Sequence, residues 1–255
     1  MKLPLATALA LINIFGAEVR VTDRILPLIQ DGGGTSTTIT IVNLESTTSS
    51  FEILFLTDTG AYWRIPVSRP AGVVTDGPYV RGVLGAGRSL TIRTAGTGDL
   101  SLGHATIYSA ENARLGVNLR VNPAGWAFNA APQREDTLTL PFDNADGANT
   151  MFLWVSDTPF TLVTYVATGD DGKVLANGRY QFSVSDNVVQ RVLALTDLAP
   201  ATAGQRGIVS LQIDYPNAGI YDELYFTGLA IQTDPNGVSV VNSSMSTGTW
   251  KSTRH

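Results

Sequence analysis

The stretch that decides the fold class is Leu115-Gly-Val-Asn-Leu-Arg-Val121. Apolar residues occupy every second position, and Gly116, Asn118 and Arg120 lie between them. Successive side chains of a β-strand point to opposite faces of the sheet, so this alternation predicts a strand with one buried face. The same pattern recurs in Val209-Ser-Leu-Gln-Ile-Asp-Tyr215, which predicts a second strand of this kind.

More strands and many turns are predicted outward from this stretch. Strands are expected at 38–42, 51–56 and 160–167, and the second of these is apolar on nearly both faces, which is typical of a central strand. Turn signals rich in Asp, Asn, Pro and Gly lie at 31–34, 58–60, 122–125, 170–172 and 234–237. Many short strands at this spacing predict antiparallel sandwiches. The best helical candidate is a turn or two at 197–202, with Asp197 as its N-cap.

Several motifs occur twice in the same order. Pro123 and Pro235 lie about 112 residues apart, and the turns at 58–60 and 170–172 have the same offset. Gly103 opens a predicted strand as Gly207 does. These matches predict an all-β chain of two tandem antiparallel Ig-like β-sandwich domains, at 18–133 and 134–242. The charged linker at 134–136 begins the second domain, and 243–255 form a C-terminal tail.

Two segments carry a resemblance to a known group of proteins. Residues 31–43 (DGGGTSTTITIVN), and residues 197–200 together with 204–207, resemble β-rich repeats of secreted proteins from acidobacteria and related soil bacteria. The resemblance implies a β-sandwich and an extracellular location. That group has no established activity, so no catalytic residue carries over from it.

The N-terminus carries a signal for the compartment. Met1-Lys2 precedes a mainly apolar run at 3–17, which is typical of a secretory signal peptide with cleavage after Ala17. Phe15 occupies a position where a small residue is preferred. The alternative is a retained segment that packs on the fold or on a neighbouring molecule. The run is too short to span a bilayer as a helix.

Composition excludes several classes of protein. The net charge of −5 argues against nucleic-acid binding, which needs a basic face. The chain has no cysteine, which excludes disulfides, thiolate zinc sites and a cysteine nucleophile. With 44% hydrophobic residues, the chain is not disordered as a whole.

A catalytic or metal-binding set is not recognisable in the sequence. His104 has no neighbouring partner, and no Gly-x-Ser-x-Gly motif accompanies it, so we interpret it as structural. The glycine-rich segment at 82–87 lacks the spacing of a phosphate loop, and we interpret it as a loop. The oxygen-rich segment at 143–147 lacks the register of a calcium loop, which favours a turn. We therefore predict no catalytic, metal or cofactor-binding residues and no cofactor.

Aromatic side chains offer a candidate surface for glycans. The candidates beside turn signals are Trp63, next to Tyr62, and Trp126; Tyr221 with Tyr225 is a further pair. Sugar rings stack on flat exposed aromatic rings, whereas core packing is the alternative role of such residues in a sandwich. Trp154 lies in an apolar strand and is predicted to be core.

These observations predict a non-catalytic secreted or cell-surface protein with a structural or adhesive role. Few charges protect its strand edges, so we expect self-association into a fibre or surface layer, through strand addition or end-to-end sandwich contacts. The segments 3–17 and 239–250 are long enough to be added as strands. Expected partners are further copies, cell-surface components or a glycan, without nucleic acid or a membrane span. The alternatives are a carbohydrate-binding module, a hydrolase with unrecognised carboxylates, and a soluble monomer.

Overall fold

All but a few residues of the computed structural model lie in β-strands, turns and loops. It describes residues 20–68, 70–110, 113–129, 131–132, 137–156, 162–181, 189–214, 226–237 and 239–243. Their strands form four antiparallel sheets, so the chain is all-β, as the alternating pattern predicted.

Ten described strands lie N-terminal to residue 133. They are β1 (Arg20–Asp31), β2 (Ser36–Asn43), β3 (Ser49–Thr57), β4 (Val73–Asp76), β5 (Tyr79–Leu84), β6 (Ser89–Arg93), β7 (Ser101–Ala110), β8 (Leu115–Asn122), β9 (Trp126–Asn129) and β10 (Ala131–Pro132). They form a six-stranded sheet, ordered β10-β1-β7-β3-β5-β4, and a four-stranded sheet, ordered β6-β2-β8-β9.

Eight described strands lie C-terminal to residue 136. They are β11 (Thr137–Asp143), β12 (Asn149–Ser156), β13 (Leu162–Gly169), β14 (Val174–Gln181), β15 (Val189–Ala194), β16 (Arg206–Asp214), β17 (Phe226–Thr233) and β18 (Ser239–Ser243). Their sheets are ordered β11-β16-β13-β14 and β15-β12-β17-β18. A single helical turn, α1 (Leu195–Leu198), and a 3-10 turn (Pro200–Thr202) precede β16.

The two halves of the chain repeat one strand order. Replacing β1, β7, β3 and β5 by β11, β16, β13 and β14 converts the first sheet into its counterpart. The four-stranded sheet converts likewise when β6, β2, β8 and β9 are replaced by β15, β12, β17 and β18. All six pairings between these strands are antiparallel in both halves. Among the described strands, β4 and β10 at the outer edges of the first sheet have no counterpart in the second half.

A buried threonine makes the same contacts at the start of β2 and of β12. Thr37 Oγ1 donates to the carbonyl oxygen of Gln30 and accepts from its N–H, both at 2.9 Å. Thr150 Oγ1 makes the same pair of hydrogen bonds with Asp143, again at 2.9 Å. Each threonine therefore connects the end of a strand in one sheet to the start of the next strand, which lies in the other sheet.

Two clusters of buried side chains form the core. The second lies between the two sheets of the C-terminal half and includes Phe152, Trp154 and Leu211. The first fills the N-terminal half, and it also takes in Leu153 and Val155 of β12 and two residues of β17. The central strands β12 and β17 are therefore buried on both faces, because their outer face packs against the first half.

Most strand predictions are confirmed. β8 buries Leu115, Val117, Leu119 and Val121, the alternate positions that the sequence singled out. β3 is buried on both faces and lies between β5 and β7. The glycine-rich segment is only partly a loop, since 82–84 belong to β5.

The prediction that Asp197 caps the helical turn is wrong. Ala194 is the N-cap of α1, and Asp197 lies inside its single turn. Of the proposed added segment 239–250, residues 239–243 pair with β17 as β18. The predictions for residues 1–17, for the linker 134–136 and for 244–255 lie outside the described residues.

Candidate functional site

The two halves differ in how the chain runs between the strands β3 and β5 and their counterparts β13 and β14. In the first half it makes an excursion, that is, a segment that departs from the edge of β3. In the first half β3 is followed by a turn, after which Tyr62 pairs with Leu56 and the Trp63 N–H donates to Phe55 O at 3.0 Å. The chain then leaves the edge of β3 over 64–77, of which 64–68 and 70–77 are described, and it returns to β3 where Tyr79 pairs with Leu54. Within this excursion, β4 forms the outermost described strand of the same sheet. In the second half the equivalent chain simply continues as β14 along β13. The segment 64–77 therefore has no counterpart in the second half.

This excursion forms a cavity of about 410 Å³. The cavity is lined by Arg64, Ile65, Pro66, Val67, Thr75 and Gly77, all of which belong to the excursion. Gly77 turns the β4–β5 hairpin with φ of +60°, and a Cβ placed there would lie 3.9 Å from Arg64 Nε. The volume falls within the usual range for small-ligand sites.

A pair of tyrosines flanks the excursion in the chain, with Tyr62 two residues before Arg64 and Tyr79 two residues after Gly77. The rings of Tyr62 and Tyr79 have centroids 6.3 Å apart, and Tyr62 is 69% exposed. The Arg81 guanidinium lies 4.9 Å from the centre of the Tyr79 ring. A hydrogen bond with Tyr62, followed by partial burial, raises the pKa of the Tyr79 hydroxyl above its ordinary value. The pair is thus fixed on one side and open to solvent on the other.

Two carboxylates hold Arg81 in place. Buried Glu52 accepts a hydrogen bond from Arg81 Nε, and Asp76 Oδ2 lies 3.6 Å from the Arg81 guanidinium. Arg64 is exposed, and among the described residues no carboxylate forms an ion pair with it. The cavity therefore carries one cation whose charge is not compensated by a described neighbour.

Both tryptophans predicted as glycan-stacking residues are half-buried. Trp63 packs against the first core, and its ring covers Gly103, where a Cβ would lie 2.8 Å from Trp63 Cε3. Trp126 on the edge strand β9 also packs against that core. The structure does not bring the two together in one described cavity, and their role in glycan binding stays a prediction. Trp154 is buried in the second core, as expected.

The junction between the halves contains buried polar side chains. Gln190 Nε2 donates to Pro27 O at 2.8 Å, and its backbone N–H donates to Asp58 O at 3.1 Å. Both ring nitrogens of His104, Gln190 Oε1 and Thr227 Oγ1 have no partner among the described residues. Burial lowers the pKa of His104 to about 4. His104 is therefore neutral at physiological pH.

The carboxylates of the acidic turn at 143–147 pair with an arginine of the same chain. Arg206 donates to Asp143 Oδ2 at 3.0 Å and to Asp146 Oδ2 at 2.7 Å. Asp143 Oδ1 also accepts from the N–H of Ala145, which is an Asx turn. Among the described residues, no group of three or more His, Asp or Glu side chains is placed to hold a metal ion.

No known protein family, curated protein or solved structure matches this chain. In the part of the chain that the structure describes, no helix has the length and apolar character needed to cross a membrane. The function is therefore inferred from the geometry of the chain's own residues.

The spacing of paired glycines in the sequence indicates extra residues in the first half. Gly60 and Gly172 are 112 positions apart, whereas Gly103 and Gly207 are 104 apart. The falling offset means that the first half contains more residues between these glycines. Tyr62 was a candidate only as the neighbour of Trp63, and nothing in a single sequence places Arg64 beside Gly77.

Proposed function

We propose that this chain is a non-catalytic secreted or cell-surface protein with a structural or adhesive role, and that it associates with further copies of itself by β-strand addition. The proposal includes two tandem Ig-like β-sandwich domains. The repeated strand order and the repeated threonine contacts support this division. The core shared across the junction means that the two domains pack tightly on each other.

The observation that carries the proposal is the edge of β14. In the first half β4 pairs with the outer edge of β5. β14 takes the place of β5 in the second half, and the described residues place no strand on its outer side. An exposed edge presents unpaired N–H and C=O groups to any strand of suitable length. The first half therefore shows the geometry that an added strand would adopt.

The side chains of β14 do little to block such pairing. Of its eight residues, only Arg179 is charged, and Val174 is 57% exposed. Native edge strands are usually protected by lysine, proline or a bulge on the edge. β14 has neither lysine nor proline, and its register shift against β13 lies between Val174 and Ala176, so residues 176–181 form a regular edge. A second copy of this chain is the proposed donor. If the donated strand is not β14 itself, the contact is heterologous and propagates unless its rotation closes a ring.

Light scattering on two lysine variants tests the proposal. Val174→Lys places a charge on the edge strand β14, whereas Ile208→Lys places one on the central strand β16. Ile208 is 43% exposed, and both residues are opposite Thr168, so they lie on the same face of the sheet. We expect wild type and Ile208→Lys to be larger than a monomer and Val174→Lys to be a monomer. A wild-type monomer at high concentration would contradict the proposal.

A secreted location is part of the same proposal. It is supported by the signal-like run at 3–17 and by the resemblance to acidobacterial secreted repeats. The mature protein that the native host secretes should have its N-terminus near Glu18. Mature protein that begins at Met1 would contradict cleavage and favour a retained segment that packs against a neighbour.

Carbohydrate binding is the second candidate function. The specific observation in its favour is the solvent-exposed ring of Tyr62, which lies two residues before the cavity-lining Arg64. Trp63 and Trp126, the predicted stacking residues, are half-buried against the first core, so they would not be the exposed rings of such a site. A hydrolase with unrecognised carboxylates stays a prediction, and no specific observation favours it. Glu52 is buried and pairs with Arg81, so it is not an accessible carboxylate.

A further inference from the structure

The excursion at 64–77 has a composition that differs from that of a simple loop. It combines an exposed cation, apolar walls and a hydroxyl around one cavity, in Arg64, Pro66, Val67 and Thr75. The aromatic side chain of Tyr62 stands two residues before Arg64. Ligand sites typically combine apolar walls with a few polar groups that fix orientation.

The charges around the cavity favour an anionic ligand. Arg81 is already engaged by Glu52 and Asp76. Arg64 lines the cavity and has no ion pair with a described carboxylate. A guanidinium offers parallel N–H donors that match both oxygens of a carboxylate. A bound carboxylate would therefore compensate the charge of Arg64.

The tyrosine pair favours a ligand with an apolar ring face. Tyr62 is held against Tyr79, which in turn packs beneath Arg81. A ring fixed in this way presents a flat surface with little loss of side-chain entropy on binding. The C–H face of a sugar packs on such a surface, while its hydroxyls can bond to Thr75 and to solvent.

We propose that the cavity formed by 64–77, with Tyr62 beside it, binds a uronic-acid saccharide whose carboxylate pairs with Arg64 and whose ring packs on Tyr62. The proposal rests on the second candidate function, carbohydrate binding. The second half of the chain provides an internal comparison. It continues β14 without an excursion, and Asn177 and Arg179 stand where the first half has Tyr79 and Arg81.

Affinity electrophoresis of the full chain through alginate, pectate and hyaluronate tests the proposal. Each polymer is also used after its carboxyl groups have been reduced to alcohols. We expect retardation by at least one polyuronate and none by its reduced form. Arg64→Gln and Tyr62→Ala should each weaken that binding about tenfold or more. The matched variants Arg179→Gln and Val174→Ala, in the second half, should leave it unchanged.

The possible results are distinguishable. Equal retardation by the native and reduced polymers would overturn the uronate proposal while supporting carbohydrate binding. No retardation by any polymer would overturn both. Retardation that survives Arg64→Gln and Tyr62→Ala would overturn this site. Circular dichroism of each variant, compared with wild type, shows that it is folded before its binding is measured.

Discussion

Gly103 and Gly207 occupy the same position in the two halves and have no space for a side chain. A Cβ on Gly103 would lie 2.1 Å from Leu56 O, and a Cβ on Gly207 would lie 1.9 Å from Thr168 O. Neither carbonyl can move without disturbing the pairing of β3 with β7 or of β13 with β16. Glycine is therefore required at both positions because two backbones approach closely there, and not because φ is unusual.

Alanine at either glycine should destabilise the fold. We expect Gly103→Ala and Gly207→Ala each to lower the free energy of unfolding by about 2 kcal/mol, measured by urea denaturation. Gly116→Ala is the control, because a Cβ at Gly116 would lie 3.6 Å from its nearest neighbour, Leu44 Cδ1. Equal stability of all three variants would contradict the close approach.

His104 gives the stability a specific dependence on pH. Its pKa is about 4 in the folded chain and near 6.5 in the unfolded chain, because burial disfavours the imidazolium. Between these values the unfolded state binds the proton more readily, so stability falls as the pH decreases from 6.5 towards 4. The loss is about 3 kcal/mol when complete.

Comparison with His104→Ile isolates this contribution from those of the carboxylates. Isoleucine is the residue at the equivalent position of the second half, Ile208. We expect wild type to lose more stability than the variant between pH 6.5 and 4 in chemical denaturation. Parallel pH profiles of the two proteins would show that His104 is not buried as a neutral group.

At the scale of elements, the threonine contacts connect strands of different sheets. Thr37→Val and Thr150→Val each remove both hydrogen bonds to the preceding strand and leave a partly buried N–H without its partner. We expect each to cost about 2 kcal/mol in thermal or urea denaturation. Thr139→Val, on the half-buried face of β11, should cost little. A neutral effect at both 37 and 150 would show that these bonds do not stabilise the fold.

The strands could be predicted from the sequence because their alternation follows from burial of one face. β8 shows this most clearly, since its four buried residues are the four apolar residues of the pattern. Gly103 and Gly207 could be matched because each opens a predicted strand at the same place in the repeat. The falling offset between the paired glycines indicates extra residues in the first half, but it does not place them at 64–77, because their position depends on where the chain leaves and rejoins β3. The cavity beside Tyr62 therefore became visible only with the structure.

At the scale of the whole molecule, the shared core predicts cooperative unfolding. Leu153 and Val155 of the second half belong to the core cluster that fills the first half. Separation of the halves would expose this apolar surface to water. We expect a single calorimetric transition whose van't Hoff and calorimetric enthalpies agree. Two resolved transitions would mean that the junction contributes little to stability.

The sequence did not predict this junction. The repeat favoured two sandwiches in series, each with its own core. β12 and β17 place apolar residues on both faces, and one of those faces covers the first half. An apolar run of this kind shows that both faces are buried, but it does not show what covers each of them.

Hydrogen exchange along β14 tests the central claim, self-association by strand addition, most directly. The backbone amides of Val174–Gln181 that point away from β13 have no described strand to protect them within one chain. If a second copy adds a strand there, their protection should rise with protein concentration, while that of the central strand β16 stays constant. Fast exchange of these amides at every concentration would contradict the claim.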